Sequence, residues 1–109
     1  MNYDELISAG WIELKEGEHV IERGFYFTRG ISAPVIEQSD GEVRTFDSSE
    51  PVINLTGGYV GTHDDSAPVI EQRVGEVSTH NSSEAVIDQS GGRVMTYGSS
   101  APVINKTGE

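Results

Sequence analysis

The 109-residue chain has no cysteine, so no disulfide or thiolate centre can supplement its core, and packing and hydrogen bonds must hold it together. Basic side chains are scarce: 7 Lys and Arg stand against 18 Asp and Glu, for a formal net charge of −11 and a pI near 4.5. A field of that sign repels a phosphate backbone, so direct nucleic-acid binding is not expected. No apolar run approaches the ~18 residues of a membrane span. The segment MNYDELISAGWIELKEGEHV also lacks a basic start followed by an apolar core, so no membrane association is expected and a cytoplasmic setting is. At this length one small domain is the upper bound.

What the chain does contain is a repeat. Val-Ile occurs at Val35-Ile36, Val52-Ile53, Val69-Ile70, Val86-Ile87 and Val103-Ile104, each step being 17 residues. The same period carries Gly41, Gly58, Gly75 and Gly92, then Val43, Val60, Val77 and Val94, then Thr45, Thr62, Thr79 and Thr96, then Ser49, Ser66, Ser83 and Ser100. β-branched residues dominate the periodic positions, Gly and Pro recur within the units, and no 3.6 period is present, which excludes helices. Each unit reads as two short strands, around Pro-Val-Ile-Glu and Gly-x-Val-x-Thr, divided by polar turns.

The expected fold is therefore all-β: a parallel β-solenoid of 17-residue coils over residues 32–109, with residues 1–31 forming an N-terminal cap and a degenerate first coil. Identical residues stack at ~4.8 Å along its axis. Ile36 and its equivalents are expected inward, with the adjacent Val at a corner or covered by another surface. Val60 is expected inward and Gly61 outward. The Thr column shares the inward face of Val, where its hydroxyl is expected to bond a neighbouring coil's backbone. In the cap, Asp4 is expected to begin a helical turn from Glu5 to Ala9, and His19-Val20-Ile21-Glu22 to be a first Val-Ile strand, 15 residues before Val35. Lys106 and Glu109 are expected to protect the last edge by charge, and a homodimer through the C-terminal coil is a further expectation.

Units of the type APVIEQSGGxVxTYxSS resemble the parallel β-helix repeat proteins that recur in bacteriophages and prophages. The resemblance implies a solenoid and a phage or mobile-element setting, and says little about activity.

Among residues with chemistry, His63 and His80 lie one repeat apart and should stack with Phe46 and Tyr97 as an aromatic ladder, an alternative binding strip. Two imidazoles fall short of the three or four ligands of a zinc site, so neither a metal nor a cofactor is expected. The recurring serines are read as turn hydroxyls, and no Ser, His and Asp set interrupts the period as a grafted catalytic centre would, so no enzyme is expected. The Thr column faces inward and does not form an ice-binding array. Asn54-Leu55-Thr56, Asn81-Ser82-Ser83 and Asn105-Lys106-Thr107 match the glycosylation sequon as by-products of the repeat.

Two columns carry most of the remaining interest. One reads Glu37, Asn54, Glu71, Asp88 and Asn105, the other Ala33, Glu50, Ala67, Glu84 and Ala101. Residues 32–109 hold 12 acidic and 4 basic side chains, a balance of −8 on a scaffold that fixes their spacing. Spacing of like charges and solubility would account for some of this. The functional expectation is a non-enzymatic acidic binding protein. Glu37, Glu71 and Asp88, then Glu50 and Glu84, would face a basic, nucleic-acid-binding protein partner in the manner of phage anti-CRISPR and other DNA-mimic inhibitors. The alternative is a structural or assembly module that self-associates end to end.

Overall fold

The protein, seen here as a computed structural model, is described for residues 3–31 and 33–106; Ser32, Thr107 and Glu109, and with Glu109 its expected edge-protecting role, lie outside them. A short helix α1 (Tyr3–Ser8) is followed by twelve strands: β1 (Ile12–Glu13), β2 (Glu18–Ile21), β3 (Phe25–Thr28), β4 (Val35–Gln38), β5 (Glu42–Thr45), β6 (Val52–Leu55), β7 (Tyr59–Thr62), β8 (Val69–Gln72), β9 (Glu76–Thr79), β10 (Val86–Gln89), β11 (Arg93–Thr96) and β12 (Val103–Lys106). Odd-numbered strands form one six-stranded parallel sheet, in the order β1-β3-β5-β7-β9-β11, and even-numbered strands form the other, β12-β10-β8-β6-β4-β2. This is the expected β-solenoid. Its 17-residue register runs without slippage through Val35, Val52, Val69, Val86 and Val103.

Alternation places the core. Ile36, Ile53, Ile70 and Ile87 of the even sheet are buried against Val43, Val60 and Val77 of the odd sheet, which settles Ile as the inward member of its pair. The extended alternation begins before the strand proper: Pro34, Ile36 and Gln38 are buried while Ala33, Val35 and Glu37 face out. Between the two strands of a coil the chain turns on glycine. Gly58 has φ +91°, and a Cβ there would lie 2.5 Å from the carbonyl oxygen of Gly41 in the coil before, so both conformation and close approach demand glycine.

Two buried polar ladders complete the coils. Thr28, Thr45, Thr62 and Thr79 each place Oγ1 2.8 Å from the Oγ of Ser49, Ser66, Ser83 and Ser100 respectively, 21 residues on and therefore in the next coil. Ser49 and Ser66 donate to the carbonyls of Phe46 and His63, so the Thr hydroxyl donates to the serine. The Thr partner is thus a neighbouring side chain, where a backbone group was expected, and these serines are zipper members as well as corner residues. Gln38 and Gln72 sit inside the opposite corner and bridge coils: Gln38 Nε2 donates to Gly41 O (3.0 Å) and Tyr59 O (3.1 Å), and Gln72 Nε2 to Gly75 O and Arg93 O (both 2.9 Å). Leu55 stands between them in the column and offers no donor; both Gln Oε1 atoms are left without one.

Several expectations are corrected here. β2 pairs Glu18 with Val35 and Ile21 with Gln38, so the first coil keeps the 17-residue spacing and Val20-Ile21 occupy the Glu37-Gln38 positions, not those of Val-Ile. Asp4 lies within α1 and does not begin it. Gly61 lies on the outward side as expected, yet is buried there: a Cβ on it would meet His63 Nε2 at 3.1 Å and the Tyr59 ring at 3.4 Å, because both rings fold over it.

Val60→Asp should cost several kcal/mol, on the order of 3–5, since an unpaired carboxylate would enter a dry core. Gly58→Ala should also destabilise, by about 1–3 kcal/mol through left-handed strain and the carbonyl clash. Urea denaturation followed by circular dichroism measures both; midpoints equal to that of the parent would refute the facing and turn assignments.

Candidate functional site: two outward faces of opposite character

The odd sheet turns three columns outward, and its charges are neutralised there. Arg44 Nε contacts Glu42 at 2.9 Å, Arg93 contacts Glu76 at 3.4 Å, and Arg29 contacts Glu13 at 3.0 Å. At the end of this face the rings of Phe46, His63, His80 and Tyr97 stack, with centroid separations of 5.1, 4.6 and 4.8 Å and planes within 15°. The expected ladder is present. Phe46, however, is only 7 % exposed, covered by an edge-on contact with Phe27 and by His63, so it does not belong to an accessible strip; exposure rises along the ladder to 49 % at Tyr97.

Tyr59 Oη and His80 Nε2 both hydrogen-bond Ser78 Oγ, the latter at 3.0 Å. Sequence reasoning missed this set, because Ser78 stands in a column with Arg44, Gly61 and Met95 in which no residue recurs and nothing marks it out. Ser78 is buried, and its hydroxyl links Tyr59 to His80 and thereby ties adjacent coils. Burial is the main reason that the His63 pKa is lowered from 6.5 to about 4, with neighbouring His80 and Arg44 acting in the same direction and Asp64 opposing them. The His80 pKa is lowered too, by burial first and then by Arg44.

At the following corner Asp47, Asp64 and Asn81 adopt left-handed φ of 57–58°, in a column completed by Gly30 and Gly98. The carboxylate of Asp47 accepts from Gly30 N (2.9 Å), that of Asp64 from Asp47 N (3.1 Å) and Asn81 Nδ2 (3.4 Å). These acids bind the chain to itself. Among the described residues no three His, Asp or Glu side chains form a group able to hold a metal ion.

The even sheet is different. Its outward surface is a valine rail, Val35, Val52, Val69, Val86 and Val103, each 37–56 % exposed. On one flank lies the column Glu37, Asn54, Glu71, Asp88, Asn105; on the other lies Ala33, Glu50, Ala67, Glu84, Ala101. Glu37, Glu71, Asp88, Glu50 and Glu84 are all exposed, and among the described residues no ammonium or guanidinium lies within 4.0 Å of any of them. Asp88 Oδ1 accepts from Asn105 Nδ2 at 3.2 Å, while Asn54 Oδ1, between Glu37 and Glu71, has no donor. A shallow trough runs over Val35, Val52 and Val69 beside Glu37, Asn54 and Glu71. The structure therefore gathers all five acidic candidates on one side of the molecule, whereas the aromatic alternative lies on the odd-sheet side.

In class the molecule is a parallel β-solenoid. No protein-family model matches the chain, and no curated protein or solved structure matches it either.

In the unfolded chain His63 titrates at its ordinary 6.5 and in the fold at about 4, so between those values the unfolded state takes up the extra proton. Stability should consequently be full above pH 6.5 and fall as pH drops towards 4. His63→Phe should flatten this share of the pH dependence. Urea midpoints of parent and variant, compared between pH 7 and pH 5, measure the difference.

Proposed function

We propose that the protein is a non-enzymatic acidic binding protein that presents its even-sheet carboxylates to a basic, nucleic-acid-handling protein and occludes that partner's groove. The observation that carries this reading is the segregation of charge. The odd-sheet acids have guanidinium partners, while Glu37, Glu50, Glu71, Glu84 and Asp88 have none among the described residues. Four coils at ~4.8 Å carry these five carboxylates on two parallel flanks, so along each flank the acids stand ~5–10 Å apart in a fixed line. Because each carboxylate springs from a hydrogen-bonded ladder, little backbone order is lost on binding. In the setting suggested by the repeat style, the protein is a phage-type inhibitor of a host defence nuclease, acting in the host cytoplasm in the manner of anti-CRISPR proteins. The repeat resemblance suggests this setting, and the charge arrangement supports the binding role.

Neutralising Glu37, Glu71 and Asp88 to Gln, Gln and Asn should leave the melting temperature almost unchanged, since none makes an ion pair among the described residues, and should weaken capture of basic proteins from host lysate. Capture by the parent should also fall steeply as salt rises. Capture that survives both the triple substitution and high salt would refute mimicry and direct attention to His63, His80 and Tyr97. Concentration-dependent sedimentation that is insensitive to salt would favour end-to-end assembly through the C-terminal coil instead.

A further inference from the structure

The valine rail calls for its own explanation, because charge presentation does not need it. Every other outward column varies: the position of Glu42 holds Tyr59, Glu76 and Arg93 in later coils, and that of Arg44 holds Gly61, Ser78 and Met95. The column between the two acidic flanks is valine in all five coils from Val35 to Val103, at positions left substantially exposed. Threonine, β-branched and polar, would serve equally well there as a strand former on a wetted face. Across the rail the coils read Ala33-Val35-Glu37, Glu50-Val52-Asn54, Ala67-Val69-Glu71 and Glu84-Val86-Asp88, an apolar line with carboxylates on both rims.

We infer that this face is a docking trough for an amphipathic basic helix of the partner, lying along the solenoid axis with its apolar stripe on the valine rail and Lys or Arg on both sides of the stripe reaching the two rims. The inference rests on the acidic-binder function proposed above and names the partner element. Three features select a helix. Backbone groups of the sheet are already paired strand to strand, so a partner strand cannot add to the face by hydrogen bonding. A strand crossing the coils presents same-side residues every ~6.7 Å against a ladder of ~4.8 Å and loses register at each step. A helix repeats every ~5.4 Å and drifts only ~2 Å over three coils. The charge complementarity is local: the exposed Glu37 and Glu71 carboxylates stand on either side of Asn54, so a cation there meets acidic acceptors beside the methyls of Val35, Val52 and Val69, which can cover its aliphatic stem. A second copy of the chain is disfavoured, since two such faces would bring ten unpaired carboxylates around one seam.

The test uses three synthetic helical peptides of about four turns: one with a leucine stripe flanked by lysines, the same peptide with the leucines replaced by serine, and the same with the lysines replaced by glutamine. Binding to the full chain is followed by fluorescence anisotropy, and the site by NMR shift perturbation. The Leu/Lys peptide should bind at least about tenfold more tightly than either control and perturb Val52, Asn54, Val69 and Glu71 first. The double variant Val52→Thr with Val69→Thr, isosteric and exposed, should lose most of that advantage and keep the salt dependence of the parent. Equal binding of the Leu/Lys and Ser/Lys peptides would overturn the trough while leaving the acidic reading intact. Binding by none of the basic peptides would overturn both. Sedimentation in which the parent dimerises and V52T/V69T does not would assign the face to a second copy and overturn the helix.

Discussion

Parallel, in-register pairing between successive coils is the constraint on which everything else in this molecule depends. Each backbone amide on the path must find a carbonyl one coil away, as Val52 N finds Pro34 O and Val69 N finds Pro51 O, both at 2.9 Å. Consecutive coils can meet this condition only if they trace the same path. A single inserted residue would reverse the alternation of every side chain after it. The fixed path in turn makes demands of chemistry at particular places: Ile where the strand looks inward, glycine where Gly58 passes under Gly41 O, and a Thr and Ser pair where two polar groups are sealed from water.

Most of this architecture was legible because the repeat is long and regular, and the order of β-branched residues, glycine and turn clusters admits few folds. The buried Val60 and the aromatic ladder follow from parity and period; parity also puts one member of each Val-Ile pair inside, and only the fold decides that it is Ile. The errors arose where parity is not enough. Matching Val20-Ile21 to Val-Ile by likeness gave a 15-residue step, whereas hydrogen-bond register gave 17 and overrode the resemblance of side chains. Phe46 is outward by parity yet buried, because Phe27 from the coil before it closes over the corner. Gly61 is outward by parity as well, but the Tyr59 and His63 rings occupy the space its missing side chain leaves. The Thr hydroxyls bond serines 21 residues away, a spacing that column-by-column comparison does not bring together.

The acidic columns themselves were visible in the sequence; the division of labour among the acids was not. Asp64 is spent on backbone and Asn81, Glu42 and Glu76 on arginines, whereas among the described residues the carboxylates that flank the even sheet's valines have no cationic partner. That partition depends on which column stands beside which, a property of the cross-section that a linear reading does not contain. It leaves one molecule with a self-satisfied side and an unsatisfied one.

The ladder geometry also makes the molecule a ruler. Each coil contacts only its immediate neighbours, so gain or loss of one 17-residue unit in a coding sequence would lengthen or shorten the valine and carboxylate face by ~4.8 Å without changing its cross-section. Reach along a partner can therefore be adjusted by recombination in whole increments, and point substitutions in the rims can then change the charge at any one graduation without disturbing the next.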